Sequence, residues 1–160
     1  MMKKYIEKDL ETFERNEWGW LICPSGDYTA IRTFPEKCIF GKRCNFRRRS
    51  NFGACSSFGK WCNFGERCNF GELSRFGEKC SHEGLTNSIY VAIDRIGSEL
   101  RKTYFFKAEE GYFVRAGCFF GTLDEFKAQV HETHRGTIHE TTYRMACDLA
   151  VKLLDSRWKK

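Results

Sequence analysis

The chain has two prolines in 160 residues, and none of its apolar runs approaches the roughly 20 residues needed to cross a bilayer. With so little proline and 41% hydrophobic residues, a Pro-rich or disordered chain is excluded. Closely spaced C-x2-C pairs are missing, although there are nine cysteines, and their spacing in the middle of the chain is C-x5-C. No phosphate loop, paired catalytic carboxylates or nucleotide-fold signature occurs. The opening stretch MMKKYIEKDLETFERNE is charged throughout and lacks the apolar segment of a secretory signal. The expected compartment is cytoplasmic, where thiols stay reduced.

What the chain has instead is a phrase six residues long. Phe34, Phe40, Phe46, Phe52, Phe58, Phe64, Phe70 and Phe76 recur at intervals of six without a break. Two residues before them stand Cys38, Cys44, Ser50, Ser56, Cys62, Cys68 and Ser74, with Arg32 the exception and Cys80 opening another unit. Gly follows Phe at 41, 53, 59, 65, 71 and 77. A repeat this long governs the fold.

A period of six fits neither the 3.6-residue helix nor a heptad. It fits a short strand and a corner. The small residue and the Phe, two apart, point to one side of the strand, and the residue between them points out. Gly is expected to make the bend by adopting positive φ. The pattern F-G-x-x-[CS]-x resembles the hexapeptide of left-handed parallel β-helices, in which an aliphatic residue usually takes the Phe position. The resemblance implies a mainly β, triangular solenoid with three hexads per coil, so that residues 18 apart stack.

Stacking by 18 makes three columns: Phe34, Phe52 and Phe70; Phe40, Phe58 and Phe76; Phe46 and Phe64. Bulky rings then alternate with small Cys or Ser, which fills a narrow prism without overpacking. Ile22 and Tyr28 carry the phase upstream, so the β-helix is expected over residues 20–85, after an N-terminal segment 1–19. His82 and Ser88 break the Phe column. The cysteines at 38, 44, 62, 68 and 80 are expected to be compact core residues rather than metal ligands, with Cys44, Cys62 and Cys80 in one stack about 4.8 Å apart.

Charge is unevenly spread. Residues 1–31 carry net −2, residues 32–80 net +7 and residues 81–160 net +1. The densest point is KRCNFRRRSNF, residues 42–52, containing Arg47, Arg48 and Arg49. Arg43, Trp61 and Lys79 are expected to share a corner, where cation–π contact can form.

After Cys80 the pattern changes. Residues 86–160 read as a small α+β unit capping the solenoid: a strand in SIYVAI, a hairpin in TYFFKAEEGYFVRAGCFF turning at AEEG, and two helices. The first helix starts at Thr122 with a capping box to Glu125. The second runs from about Ile138 to Leu154, with Tyr143, Met145, Ala146, Leu149, Ala150 and Leu153 as its candidate buried face. Cys118 in AGCFFG reads as a strand end packed beneath a helix, although Cys118 with His134 also has the composition of a nucleophile and base.

Gly117, Cys118, Phe119, Gly121, Thr122, Leu123, Glu125 and Phe126, then Thr133 and His134, match a motif GCF-x-G-T-L-x-E-F with a later T-H. Gly97, Ser98, Arg101 and Thr103 match an upstream phrase of the same group. On these residues most of the chain resembles uncharacterised phage and prophage proteins with similar hexads. The resemblance implies a phage accessory protein acting in the bacterial host cell's cytoplasm and brings no known activity with it. Together with the basic charge it leads to the expectation of a non-catalytic protein that counters antiviral defence, by sequestering a nucleotide signal or occluding a host defence protein. The hexapeptide-repeat class implies a homotrimer.

The candidate ligand-binding residues are Arg101, Arg115, Ser98, Thr122 and His134, with Arg47, Arg48 and Arg49 as a second basic group. Arg115 on a strand beside the helix N-terminus at Thr122 is expected to hold phosphate with Arg101. No catalytic residue, metal or cofactor is expected, and no membrane partner. Two alternatives remain open. One is an acyltransferase relative, using one of His82, His131, His134 or His139 as base. The other is a structural virion or nucleic-acid-binding protein.

Overall fold

A computed structural model describes residues 2–160. The chain divides into two units, Met1–Asn87 and Ser88–Lys160. Each has its own core.

The first unit is a triangular β-helix. Its first wall stacks β1 (Leu21–Cys23), β3 (Cys38–Phe40), β6 (Ser57–Phe58) and β9 (Arg75–Phe76) in parallel. The second stacks β2 (Thr33–Phe34), β5 (Asn51–Phe52) and β8 (Asn69–Phe70), and the third β4 (Asn45–Phe46) and β7 (Asn63–Phe64). Partners such as Phe34↔Phe52 and Phe46↔Phe64 are 18 residues apart. The hexad phase therefore sets the register.

The core is an aromatic stack with two geometries. Within a column the rings lie nearly parallel, as Phe40 on Phe58 at 5.1 Å and Phe52 on Phe70 at 5.3 Å. Between walls they meet edge to face, as Phe58 against Phe64 at 4.8 Å. Both arrangements suit the ring quadrupole, so each Phe gains from neighbours in the same wall and across the prism. The column continues past Phe at both ends. His82 stacks on Phe64 at 4.9 Å, with Ser81 bridged to Asn63. Tyr28 stacks on Phe46, and Tyr5 on Tyr28 at 5.0 Å. His82 thus occupies the Phe site rather than leaving it.

The N-terminal segment closes this stack. A short helix α1 (Glu7–Thr12) follows Tyr5, and Phe13 packs edge-on against it at 5.1 Å. Upstream, the expected place of Ile22 is corrected. Register pairs Cys23, not Ile22, with Phe40, so Cys23 is buried and Ile22 points outward and is exposed. The spacing to Tyr28 is one residue short there, and alternation along β1 turns Leu21 and Cys23 inward together.

The corners also depart from expectation. Positive φ falls not on Gly but three residues after each Phe, at Lys37, Arg43, Arg49, Cys55, Trp61, Arg67, Leu73 and Lys79. Left-handed backbone at such residues is unfavourable by about 1–2 kcal/mol each. Hydrogen bonds between coils offset it: Arg43 N–H donates to Lys60 O at 2.9 Å and Trp61 N–H to Glu78 O at 3.0 Å. The glycines are required for a different reason. A Cβ on Gly71 would lie 2.5 Å from the backbone nitrogen of Ala54, and one on Gly77 2.6 Å from that of Lys60. Gly lets successive coils close up.

The small column has a polar task as well. Ser50, Ser74 and Cys68 each donate to the carbonyl three residues before, at 2.7, 2.7 and 3.2 Å. Hydroxyl or thiol therefore satisfies a corner carbonyl that alanine would leave alone. Cys44, Cys62 and Cys80 form the expected sulfur stack. Hydrogen bonding to Cys44 and Cys80, then burial, pushes the Cys62 thiol up. It stays protonated at neutral pH.

The second unit is a four-stranded antiparallel sheet in order, β10 (Ile89–Ile96), β11 (Arg101–Ala108), β12 (Gly111–Ala116) and β13 (Phe119–Thr122). Two helices, α2 (Leu123–His134) and α3 (Ile138–Arg157), pack on one face. Their shared core includes Val91, Phe105, Val114, Phe126, Ala146 and Leu154. The AEEG turn joins β11 to β12 as expected. AGCFFG contains a second turn and the strand β13, so Cys118 is exposed rather than packed beneath a helix. On α3, Met145 and Leu149 are 66% and 53% exposed, and Cys147 and Leu154 take the inward positions instead. The true face runs 143, 146–147, 150, 153–154, one step round the helix. None of the helices among the described residues is long and apolar enough to cross a membrane.

A candidate binding cavity in the C-terminal unit

β10 and β11 are joined by a tight connection in which Gly97 has φ +82° and its carbonyl accepts from Leu100 N–H at 3.2 Å. This brings Ser98 and Glu99 to one end of the sheet and starts β11 at Arg101. β12 ends beside it at Ala116 and turns through Gly117, φ +58°. Between this end of the sheet and the two helices lies a cavity of about 330 Å³. Arg101, Ser98 and Glu99 line it from the sheet; Gln129, Thr133 and His134 line it from α2, and Tyr143 from α3. Phe119 and Phe126 supply apolar wall.

Two glycines shape the site. Any side chain at Gly117 would overlap the Arg101 guanidinium, and any at Gly97 would overlap the Tyr143 hydroxyl. The absence of side chains at 97 and 117 thus leaves room for a phenol and a cation there. Burial raises the Tyr143 pKa, and the nearby Arg101 charge pulls it back down. Arg101 is exposed on its solvent side, and none of the carboxylates among the described residues makes an ion pair with it. Its charge is available to a ligand.

The α2–α3 connection is fixed by Glu140. Its carboxylate pairs with His131 at 2.5 Å and accepts from Gly136 N–H at 3.1 Å, with Arg144 at 3.6 Å. The His131 contact chiefly, then the Gly136 amide, holds the Glu140 carboxyl below its ordinary value. His134 beside it packs on Tyr143 at 5.9 Å and on His139 at 5.5 Å. The histidines are ring partners at the cavity's helical edge.

Of the residues expected at an anion site, the structure brings together Ser98, Arg101 and His134. Arg115 goes elsewhere. Ala116 lines the cavity, so its neighbour Arg115 projects from the opposite face of the sheet. There it is buried, with its guanidinium 4.2 Å from the Tyr104 ring centroid. Thr122 is occupied as well. Its hydroxyl accepts from Glu125 N–H at 3.1 Å, and Glu125 accepts from Thr122 N–H at 2.8 Å. Asp124 and Glu125 fill the first turn of α2 with negative charge, which disfavours phosphate there. Arg47, Arg48 and Arg49 lie on a β-helix corner and are exposed. Cys118 is not among the cavity residues that include His134. Gln129, Thr133 and Tyr143 were missed as site residues, although Gln129 and Thr133 follow Phe126 at i+3 and i+7 on one helix face.

Among the described residues, no three of His, Cys, Asp and Glu are placed to hold a metal ion. No family model matches the chain, and neither curated proteins nor solved structures give a match.

Proposed function

We propose that the protein is a non-catalytic binding protein whose C-terminal unit takes up a small anionic ligand, nucleotide-sized at most, beside Arg101. The observation that carries this reading is the Arg101 guanidinium, seated against Gly117 at a cavity of about 330 Å³ and making no ion pair with a carboxylate among the described residues. That volume falls at the lower end of small-molecule sites, which run from about 300 to 1,000 Å³. Ser98, Thr133 and Gln129 supply neutral hydrogen-bonding groups, and Phe119 and Tyr143 supply rings for a base or other planar group. Glu99 at the rim favours a ligand with a donor as well as an acid group.

The β-helix serves assembly in this reading, as a homotrimer. The chain's resemblance to phage-type proteins supports a role in an infected bacterial host, where retaining a nucleotide signal would blunt antiviral defence. Native mass spectrometry of protein purified from phage-infected cells reads stoichiometry and retained ligand together. The expected result is three chains carrying a small acidic compound that is absent from Arg101→Ala protein of equal thermal stability. A ligand retained equally by Arg101→Ala, or no small molecule on either protein, overturns the site; a monomer overturns the assembly.

A further inference from the structure

The two basic runs of the β-helix look separate along the chain, and the fold sets them on either side of one wall. That wall is the third, β4 and β7, whose outward side chains are Asn45 and Asn63. Lys42 and Arg43 stand at the corner leading into it, and Arg47, Arg48 and Arg49 at the corner leaving it. One coil on, Lys60 and Trp61 continue the first corner and Glu66 and Arg67 the second, joined by Arg43 N–H to Lys60 O and Arg49 N–H to Glu66 O. Lys79 follows on the first corner. Segments 42–49, 60–67 and 78–83 together hold eight Lys and Arg against three Glu. The remaining corner, at 36–37, 54–55 and 72–73, holds one Lys against two Glu. The prism is charged on one side.

Trp61 is the second observation. It occupies a left-handed corner position that elsewhere holds mostly Arg or Lys, and it remains 50% exposed. The inward sites of its hexad belong to Cys62 and Phe64, so the core makes no use of the indole. Arg43 lies 5.4 Å from the ring centroid and steadies it. A half-exposed aromatic beside two cationic corners, over a flat wall of neutral amides, is the combination that binds unpaired bases on a phosphate chain.

We propose that this wall binds single-stranded nucleic acid. Phosphates lie along Arg47, Arg48 and Arg49 and along the Lys42, Lys60 and Lys79 corner, one base stacks on Trp61, and Asn45 and Asn63 reach base edges. An acidic peptide would satisfy the cations but leave the indole and the amides unused. A duplex keeps its base faces stacked inside and could not use Trp61. A second copy of the wall is disfavoured by like charge. The site is independent of the cavity around Arg101, since it lies wholly within the other unit.

Fluorescence anisotropy with labelled mixed-sequence DNA and RNA 20-mers, over a series of salt concentrations, tests the assignment. Substitutions that tolerate the corner backbone keep the fold: Arg47→Gln with Arg48→Gln and Arg49→Asn, and separately Trp61→Asn, each checked by thermal melting. The triple change should flatten the log affinity against log salt slope by about 2, as expected for three lost phosphate contacts on a single strand. Trp61→Asn should weaken binding about tenfold with the slope unchanged, because stacking is not ionic. Arg75→Gln, on another wall, should alter neither. The proposal is overturned by failure to bind at low salt, by equal binding of poly-glutamate or anionic vesicles, or by indifference to Trp61→Asn.

Discussion

Gly117 and Arg101 share one space: the guanidinium lies where a side chain at 117 would begin. Arg101 also draws down the Tyr143 pKa that burial raises. Removing the cation, by Arg101→Ala, should therefore move the Tyr143 titration further upward. Gly117→Ala should do the same by displacing the guanidinium, beyond the strain of its own positive φ. Tyrosinate absorbance against pH, with Tyr143→Phe to identify the signal, measures both. An unmoved titration in Arg101→Ala would show that the two side chains do not share the cavity.

The corner geometry reverses the usual expectation for glycine. Gly71→Ala introduces a Cβ 2.5 Å from the backbone of the adjacent coil and should lower stability by several kcal/mol, since backbone cannot move aside easily. Leu73, two residues later, has φ +59° and is 77% exposed. Leu73→Asn should raise stability by about 0.5–1 kcal/mol, because Asn accepts left-handed backbone more readily. Chemical denaturation of both variants gives the comparison. Tolerance of Gly71→Ala would contradict the close approach of the coils.

Phe58 sits mid-column between Phe40 and Phe76, with edge contacts to Phe52 and Phe64. Phe58→Ala should destabilise by about 3–5 kcal/mol, through lost burial and the cavity left in a core that cannot collapse. Asn63→Ala, on the outer surface of the prism, should change stability far less. Equal effects in urea unfolding would place the wrong residue inside.

Glu140 ties the two helices through His131 and the Gly136 amide, and its folded-state pKa lies below the ordinary 4.5. A depressed carboxylate pKa means the contribution is fully present above that value. It is lost as pH falls through the lower folded value. Glu140→Gln should melt earlier than the parent protein at pH 7, and the gap should close as the pH drops below 4.5. A gap that persists in acid would mean the carboxylate's charge is not what holds the connection.

The hexad could be read directly because a solenoid uses one local rule many times. Phe and the small residue two before it must face inward in every coil, so their spacing alone fixes the walls, the register and the stacking of Cys44, Cys62 and Cys80. The rule failed where the spacing changed by one, at Cys23, since a shorter segment before Tyr28 moves the inward position off Ile22. It also stopped short of His82 and Tyr5, which fill Phe sites because a flat ring, and not phenylalanine as such, is what the column requires. Thr122 and Glu125 announced the helix start by their spacing, and the same reciprocal hydrogen bonds remove that terminus from any anion site.

Two matters belonged to the tertiary structure. Which residue of a corner takes positive φ, and why Gly is needed, depends on how closely neighbouring coils approach, and a repeat carries no record of that distance. Whether Arg101 and Arg115 meet depends on strand register: pairing of Thr103 with Ala116 puts Arg101 on the helical face and turns Arg115 away. Residues 14 apart in sequence fell on opposite faces because a hairpin alternates its side chains, and only the pairing says which residue faces which way. The cavity followed from that choice, with Gly97 and Gly117 leaving the space that Tyr143 and Arg101 fill.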